Sequence, residues 1–336
     1  MKNLNSWPAR MVFGLVVALC ALSVTGAARA DFTEREGFDE FVSEAAAELQ
    51  MPRSEVRAIL SEAKYKQSII DAITRPAESK TWAEYRPIFM TQRRIDNGLR
   101  FWDEHRDELE AIAADYGIPP QIIVAIIGVE TAYGGYTGNY RVLDALMTLG
   151  FDYPRRAAFF RKQLVAFLAL SQKEGVDVTA ATGSYAGAMG LPQFIPTSYL
   201  DYAVDGDADG RRDLWSSQHD VFASVANYFA SHGWEHEGAV AFPVTVADAE
   251  VDDLLNTGRD LKPKATLDEL VERGVELPEH DLPGDTPVML FTLTWPDRVE
   301  HWVGLNNFYV ITRYNHSVLY AMAVWELSRA LAAARE

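Results

Sequence analysis

The feature that most constrains this chain is residues 119–135, PPQIIVAIIGVETAYGG. Two prolines open the stretch, an apolar run follows, and Glu130 comes just before a glycine pair. Proline is tolerated in the first turn of a helix and glycine ends one, so we predict a short buried helix with one carboxylate near its C-terminal end. Apolar neighbours raise the pKa of a carboxyl group, which suits it to act as a general acid. A surface glutamate on the polar edge of a helix fits the same spacing.

Residues 1–30 differ in character from the rest of the 336-residue chain. Lys2 and Arg10 precede an apolar run at 11–24, and an A-x-A sequence closes the segment at 28–30. This order is typical of a secretory signal, which we expect to be cleaved after Ala30. The alternative is an uncleaved anchor. We therefore predict a periplasmic protein without a membrane span once the signal is removed.

Cysteine content and net charge bear on covalent modification and on the choice of ligand. The only cysteine, Cys20, lies in the signal and follows Leu19 rather than a small residue, so we expect neither lipidation nor a disulfide. The net charge of −17 becomes −20 without the three basic residues of the signal. A chain this acidic repels nucleic acid, and we expect it not to bind any.

Hydrophobic periodicity along the remaining chain is mainly helical. We expect a mainly α, or α+β, protein in which a small antiparallel β insertion interrupts the helices. Capping-box spacing at Thr81–Glu84 and Thr266–Glu269 predicts two helix starts. Predicted helices lie near 38–49, 95–116, 153–174, 221–232 and 317–333, with a further helix that starts at Pro52 and Ser54, and predicted β segments lie at 240–246, 288–295 and 308–314.

Residues 183–199, GSYAGAMGLPQFIPTSY, suit a sugar ligand. Small residues let the backbone approach a ligand closely. Ser184 and Gln193 offer neutral hydrogen bonds, and Tyr185 and Tyr199 offer aromatic faces for apolar ring surfaces. An ordinary tight loop has the same composition.

Five blocks in this order resemble the lytic murein transglycosylase B family. The resemblance spans about residues 38–331, nearly all of the chain after the signal. The blocks are VETAYG at 129–134, YPRRA at 153–157, GSYAGAMGLPQF at 183–194, SVANY at 224–228 and NFYVITRYN at 307–315.

The resemblance implies a lysozyme-like catalytic core and cleavage of the β-1,4 bond between N-acetylmuramic acid and N-acetylglucosamine in peptidoglycan. It divides the chain into a helical part at 31–118, a core at 119–239, a β insertion at 240–314 and a returning helix at 315–336. Glu130 matches the catalytic acid/base. Positions that match substrate contacts are Tyr85, Arg155, Arg156, Ser184, Gln193, Tyr228, Tyr314, Asn315 and Tyr320.

A single acid favours a reaction without water. Most glycosidases use two carboxyl groups, and the neighbouring candidates Asp144 and Asp152 are interpreted as cap or loop residues. Glu130 would protonate the glycosidic oxygen and then accept a proton from the 6-hydroxyl of the same sugar, which leaves a 1,6-anhydro ring. Two rival functions fit the sequence: a hydrolytic muramidase, and a non-catalytic glycan-binding protein on the same fold.

Residues 205–213, DGDADGRRD, have the spacing of a calcium loop. We expect Asp205, Asp207 and Asp209 to bind through carboxylates and Arg211 through its carbonyl. Position 12 is Ser216 instead of a bidentate glutamate, and the resemblance places the closing ligand at Asp220. A solvated acidic turn is the alternative. We expect Ca²⁺ as a structural ion only and no cofactor for chemistry. The expected partners are glycan strands and a cell-wall complex, and the expected state is a monomer.

Overall fold

The computed structural model describes residues 31–75, 80–247 and 250–336. The predicted signal lies outside the described residues. Residues Asp31–Glu336 form one unit. Helices dominate it, and the strands form two small antiparallel sheets, which confirms the predicted mainly α class.

The helices of the described residues are α1 (Phe38–Leu49), α2 (Arg53–Ser61), α3 (Gln67–Ile73), α4 (Trp82–Phe89), α5 (Gln92–Glu104), α6 (Arg106–Tyr116), α7 (Pro120–Thr131), α8 (Val142–Asp152), α9 (Ala157–Glu174), α10 (Pro196–Tyr202), α11 (Gln218–Ser231), α12 (Leu267–Glu272), α13 (Asn306–Tyr314) and α14 (Val318–Ala333). The strands are β1 (Tyr140–Arg141), β2 (Thr182–Gly183), β3 (Ala241–Val244), β4 (Ala265–Thr266), β5 (Pro287–Thr294) and β6 (Val299–Gly304). Sheet order is β1-β2 in one sheet and β3-β6-β5-β4 in the other.

Helix α7 is the centre of the helical core. Every residue from Ile122 to Val129 is buried, because α5, α6, α11 and α14 pack around the helix. A helix that is apolar on all sides has to be enclosed on all sides. The predicted helix is confirmed, but it ends at Thr131, before the glycine pair, because Ala132 adopts a left-handed conformation with φ 52°.

Strand β5 joins the insertion to the helical core. Side chains alternate along a strand, and here both sets are buried. Val288 and Leu290 pack in a small core of the insertion, whereas Met289, Phe291 and Leu293 pack in the main core. The two cores therefore share one strand, which ties the insertion firmly to the helices.

Both predicted capping boxes are confirmed, at Thr81–Glu84 and at Thr266–Glu269. The long helix predicted over 95–116 is wrong as a single element. It is two helices, α5 and α6, which meet at His105, where φ of −121° and ψ of 27° break the helical path.

The predicted β segment at 308–314 is also wrong, because these residues belong to α13. β-branched and aromatic residues favour a strand locally, but Phe308 and Ile311 recur at helical spacing and are fully buried. The strand that pairs with β5 is β6, which the hydrophobic pattern did not single out.

Among the described residues no single helix has the length and hydropathy of a membrane span. The pair α6 and α7 reaches that hydropathy only jointly, with a bend of 113° between the two helices.

Asn307 fixes the first turn of α13, and its replacement tests the packing of this region. Its amide is fully buried, accepts from Glu235 N–H at 2.8 Å and donates to the carbonyls of Glu235 and Gly238 at 2.8 and 2.9 Å. Asn307→Ala removes all three hydrogen bonds; the Glu235 N–H and the Gly238 carbonyl lose this partner, while the Glu235 carbonyl still accepts from Gly238 N–H at 3.1 Å. We expect the free energy of unfolding to fall by about 2–4 kcal/mol in urea denaturation.

Asn306→Ala is the matched control. Asn306 is half-buried and makes one side-chain hydrogen bond, to the Gly233 carbonyl at 2.7 Å. We expect a loss of at most about 1 kcal/mol. Equal losses for the two variants would contradict the role given to Asn307.

Candidate active site

Glu130 is the only charged residue of α7 and lies one residue before its end. The side chain is half-buried, unlike the eight fully buried residues before it. The sequence places it there because the apolar run fills the core and the left-handed turn at Ala132 and Tyr133 then redirects the chain. The carboxyl group is therefore held at the boundary between the core and the surface.

Thr131 anchors this end of α7 to the 183–199 loop. Its buried hydroxyl lies between the Leu191 carbonyl at 3.1 Å and the Ile127 carbonyl at 3.2 Å, which share its one hydrogen, and it accepts from Gly134 N–H at 3.1 Å. On the other side, the Arg94 guanidinium hydrogen-bonds the Gly128 carbonyl. These contacts fix the position of Glu130 relative to the loop.

Tyr320 is the direct hydrogen-bond partner of Glu130. Its hydroxyl donates to Glu130 Oε1 at 2.6 Å. The rings of Tyr320 and Tyr314 stack with centroids 6.4 Å apart at 12°, and Tyr314 lies 4.8 Å from the ring of Tyr228. Three of the predicted contact residues therefore form one row that begins at the carboxyl group.

Each of the other two tyrosines in this row is fixed by its hydroxyl. Tyr314 donates to the Pro192 carbonyl at 2.6 Å, and Tyr228 donates to the Arg313 carbonyl at 2.6 Å. Tyr314 thus links α13 to the 183–199 loop. Tyr228 links α11 to α13.

Loss of solvation controls the protonation of Glu130. Burial raises the pKa of Glu130 to about 7, and the hydrogen bond from Tyr320 opposes this rise. Burial also raises the pKa of Tyr85 to about 12, with a further contribution from the charge of Glu130. Burial raises the pKa of Tyr314 and of Tyr320 well above its usual range, and the charge of Glu130 adds to both shifts. These tyrosines stay neutral, while Glu130 exchanges a proton near neutral pH.

Asp144 and Asp152 are structural residues. Asp144 is 3% exposed, accepts from Lys64 N–H at 2.8 Å and lies 3.7 Å from Arg141. Asp152 forms an ion pair with Arg35 at 3.3 Å. Within the part of the chain that the structure describes, neither carboxylate hydrogen-bonds or ion-pairs with Glu130.

Ser184 and Gln193 are held by the loop that carries them. Ser184 Oγ accepts from Ala188 N–H at 3.0 Å and Ala186 N–H at 3.3 Å, so its own hydrogen is available for a ligand. Gln193 has φ of 52° and donates from Nε2 to the carbonyls of Gly190 and Thr137. Its side-chain carbonyl oxygen is the group left for a ligand.

Gly190 explains why this loop is dense in small residues. It has φ of +69°, and a Cβ there would lie 2.4 Å from the Leu214 carbonyl oxygen.

The interpretation of Tyr199 as an aromatic platform is wrong. Its ring is fully buried and its hydroxyl donates to the Arg212 carbonyl, because α10 packs it against α9 and Trp215.

Of the remaining predicted residues, only Tyr85 is linked to the acid. Tyr85 is half-buried on α4, between Trp82 and Phe89, and is close enough for the charge of Glu130 to shift its pKa. Arg155 and Asn315 are exposed.

Arg156 lies outside the group that surrounds Glu130. Its guanidinium lies 4.0 Å from the ring centroid of Phe159, and burial lowers its pKa, with Arg259 adding to the effect. No contact within the described residues links Arg155, Arg156 or Asn315 directly to Glu130.

Sequence reasoning missed the residues that position Glu130 and the tyrosine row through hydrogen bonds and ring contacts. Thr131, Arg94 and the Pro192 carbonyl position the acid and the tyrosines, and the His232 ring stacks on Tyr228 at 4.2 Å. Thr131 lay in the highlighted stretch, so its place next to Glu130 was an available signal. No sequence signal pointed to Arg94, because its partner, the Gly128 carbonyl, is 34 residues away in the sequence.

The acidic loop brings together three of its predicted ligands. One oxygen from each of Asp205, Asp207 and Asp209 lies within 4.8 Å of the others. Asp220 is buried, and its two oxygens accept from Gly206 N–H at 2.7 Å and Asp213 N–H at 2.6 Å. Clustered carboxylate oxygens are the donor set that Ca²⁺ prefers, so these residues fit a calcium ion.

Comparison with known proteins places this geometry in a family. The family model for the transglycosylase SLT domain matches residues 33–329. The chain belongs to the SLT-domain transglycosylases. The membrane-bound lytic murein transglycosylase B of Escherichia coli (strain K12) is 39% identical over 315 residues, which cover 91% of this chain and 85% of the relative.

Two solved structures of SLT-domain transglycosylases resemble it throughout. The soluble lytic transglycosylase SltB1 of Pseudomonas aeruginosa is 47% identical, with a TM-score of 0.82 over 88% of this chain and 98% of that one. The lytic transglycosylase Slt35 of Escherichia coli, solved in complex with calcium, is 39% identical, with a TM-score of 0.81 over 91% and 96%. The predicted lysozyme-like fold class is confirmed.

The hydrogen bond from Tyr320 can be tested on this transglycosylase through the pKa of Glu130. It stabilises the charged carboxylate, so its loss in Tyr320→Phe favours the protonated form. We expect a ¹³C NMR titration of the Glu130 carboxyl group to give a midpoint at about pH 7 in the native protein. The midpoint should be higher in Tyr320→Phe.

Tyr228→Phe is the control, because that hydroxyl donates to Arg313 and not to Glu130. We expect the Glu130 midpoint to stay in place. A midpoint that falls or does not move in Tyr320→Phe would contradict the assigned hydrogen bond.

Proposed function

We propose that this protein is a peptidoglycan lytic transglycosylase that cleaves the β-1,4 bond between N-acetylmuramic acid and N-acetylglucosamine without water. The observation that carries the proposal is Glu130, a half-buried acid with a pKa of about 7 whose hydrogen-bond partner is Tyr320. Family membership and a 39% identical relative named lytic murein transglycosylase B support the same reaction.

Glu130 acts first as an acid and then as a base. Its proton passes to the glycosidic oxygen as the bond to the anomeric carbon breaks, and the N-acetyl carbonyl of the muramic residue stabilises the developing positive charge. The Glu130 carboxylate then removes the proton of the 6-hydroxyl while that oxygen bonds to the anomeric carbon. The product is a 1,6-anhydro ring, and the acid is restored.

Tyr320 serves both halves of this cycle. Its hydroxyl stabilises the carboxylate that forms after the first transfer, while burial keeps the acid protonated before it. A group with a pKa close to the ambient pH can both donate and accept a proton. The balance between burial and this hydrogen bond therefore suits the two roles of Glu130.

Two rival functions fit less well. A hydrolytic muramidase commonly needs a second carboxylate, and Asp144 and Asp152 are each occupied by other groups. A purely glycan-binding protein has no use for a desolvated acid. The raised pKa of Glu130 favours an enzyme.

We assign the substrate contacts by their available groups. Ser184 offers a hydroxyl hydrogen and Gln193 a carbonyl oxygen. Tyr85, Tyr228, Tyr314 and Tyr320 line the sugar next to Glu130, and exposed Asn315 extends that wall. Arg155 and Arg156 bind the peptide-bearing or N-acetyl end of the strand.

The division into a helical part at 31–118, a core at 119–239, an insertion at 240–314 and a returning helix at 315–336 is part of the proposal. So are secretion to the periplasm and action as a monomer, within a cell-wall complex, on glycan strands. One relative supports a location near the cell wall, since it is named a membrane-bound lytic murein transglycosylase.

We also propose that the acidic loop binds Ca²⁺ as a structural ion. Asp205, Asp207 and Asp209 offer converging oxygens, with the Arg211 carbonyl and Asp220 as further ligands. The ion would neutralise the loop and hold it against the start of α11. The calcium complex of Slt35 supports this assignment.

Replacement of the acid tests the reaction. Glu130→Gln can neither donate nor accept the proton, so we expect kcat on purified sacculi to fall by roughly 10³-fold or more. The native rate should decline as pH rises through about 7, because the first step needs protonated Glu130. Mass spectrometry of the native digest should show muropeptides lighter by one water than hydrolysis products.

Glu326→Gln is the matched control. Burial also raises the pKa of Glu326, but this side chain is paired with Arg86 at 2.6 Å. We expect it to retain activity. Products of hydrolytic mass, or a Glu130→Gln variant that keeps substantial turnover, would refute the proposal.

The calcium assignment is tested by thermal unfolding. Saturating Ca²⁺ should raise the native Tm by several degrees through ligand linkage, with Mg²⁺ less effective. Asp205→Asn and Asp207→Asn should abolish the shift. Asp253→Asn, in the insertion and paired with Arg273, should keep it. A native Tm insensitive to Ca²⁺ would count against a metal site.

A further inference from the structure

Two exposed tyrosines beside the active site have no role in the mechanism above. Tyr136 is 65% exposed, the highest value among the large apolar or aromatic side chains of the described residues, and Tyr185 is 37% exposed. Most of the other aromatic side chains near Glu130 pack against one another. Tyr136 follows Glu130 by six residues, and Tyr185 directly follows Ser184.

The backbone that carries Tyr136 is fixed although its ring is open to solvent. Tyr136 N–H donates to the Thr131 carbonyl at 2.9 Å, at the end of the helix that bears Glu130. The next carbonyl, that of Thr137, accepts from Gln193 Nε2 at 3.0 Å. The backbone at Tyr136 is therefore tied on one side to the end of α7 and on the other to Gln193, a proposed substrate contact.

The loops of the two tyrosines are locked to each other. Gly138 has φ of +96°, and a Cβ there would lie 2.1 Å from the Gly183 carbonyl oxygen, so only glycine allows this approach. Antiparallel pairing of Tyr140 with Gly183 continues the contact. The loop of Tyr185 is closed by Gly187 N–H, which donates to the Ser184 carbonyl at 3.0 Å.

The energetics favour a ligand for these rings. A large apolar ring on a surface gains free energy when a partner covers it. A fixed backbone reduces the ordering cost of that binding. Neither hydroxyl makes a hydrogen bond to another described residue, in contrast to Tyr228, Tyr314 and Tyr320, whose hydroxyls are committed to protein groups.

We propose that Tyr136 and Tyr185 form an outer saccharide platform. It binds the apolar face of an N-acetylated amino-sugar ring further along the strand than the two rings that flank the scissile bond. The inference rests on the proposed function, since that function supplies a glycan polymer as the ligand. This role explains why two exposed aromatic rings lie on loops whose close approach requires glycine at position 138.

The first test measures binding without turnover, in the Glu130→Gln background. The probes are the β-1,4-linked dimer and hexamer of N-acetylglucosamine, followed by isothermal titration calorimetry. We expect Tyr136→Ala and Tyr185→Ala each to weaken hexamer binding by roughly 3- to 10-fold, the loss of about one aromatic stacking contact. Dimer binding should be unchanged, because the dimer fills only the inner positions.

Conservative and remote variants separate stacking from folding. Tyr136→Trp and Tyr136→Phe keep a ring and should bind the hexamer within about twofold of the parent. Val271→Ala removes a residue of similar exposure, 54%, from the insertion, and should have no effect. Loss of dimer and hexamer binding to the same extent, or no loss of either, would overturn the platform.

Kinetics on sacculi provide the second readout. With Glu130 intact, Tyr136→Ala should raise KM and leave kcat and the pH profile unchanged. A fall in kcat at constant KM would overturn the inference. A native enzyme that releases no anhydro product would refute the proposed function instead, and the binding comparison would still decide whether the platform exists.

Discussion

The loss of solvation at the end of α7 is the constraint on which the rest of the site depends. Ile122–Val129 fill the centre of the helical core, so the carboxyl group of Glu130 emerges at its edge with few water contacts. Burial alone raises the pKa of a carboxyl group and disfavours its charged form. The hydrogen bond from Tyr320 favours the charged form and limits that rise. The two opposing effects place the pKa of Glu130 at about 7.

The position of the acid is determined by contacts that are distant in the sequence. Thr131 connects the helix end to Leu191, Tyr314 connects α13 to Pro192, and Tyr320 reaches Glu130 from α14. Each contact spans between 60 and 190 residues. Strand β5, buried on both faces, ties the insertion and α13 to the same core. The site therefore depends on the whole fold and not on one motif.

In the proposed reaction one acid is enough. Asp144 and Asp152, the candidate second acids that follow Glu130 in the sequence, are engaged by the Lys64 N–H and by Arg35. The substrate then has to provide the nucleophile, and its 6-hydroxyl is close to the reacting carbon by its covalent structure. The tyrosines divide into two groups: Tyr228, Tyr314 and Tyr320 have hydroxyls committed to protein groups, whereas Tyr136 and Tyr185 have exposed rings, to which we assign the outer part of the strand.

Local patterns determined much of this protein. The apolar run and its single glutamate predicted α7 and the raised pKa of Glu130, and capping chemistry placed the starts of α4 and α12, because these features depend on neighbours within one or two turns. The pattern failed at 308–314, where β-branched residues form α13, and at Tyr199, where a loop-like sequence buries its ring. In both cases packing against distant elements overrides local preference. Only the tertiary structure showed that Tyr320 is the hydrogen-bond partner of Glu130, that Asp144 and Asp152 are engaged by other groups, and that Tyr136 is exposed. These properties depend on contacts between residues that are far apart in the sequence.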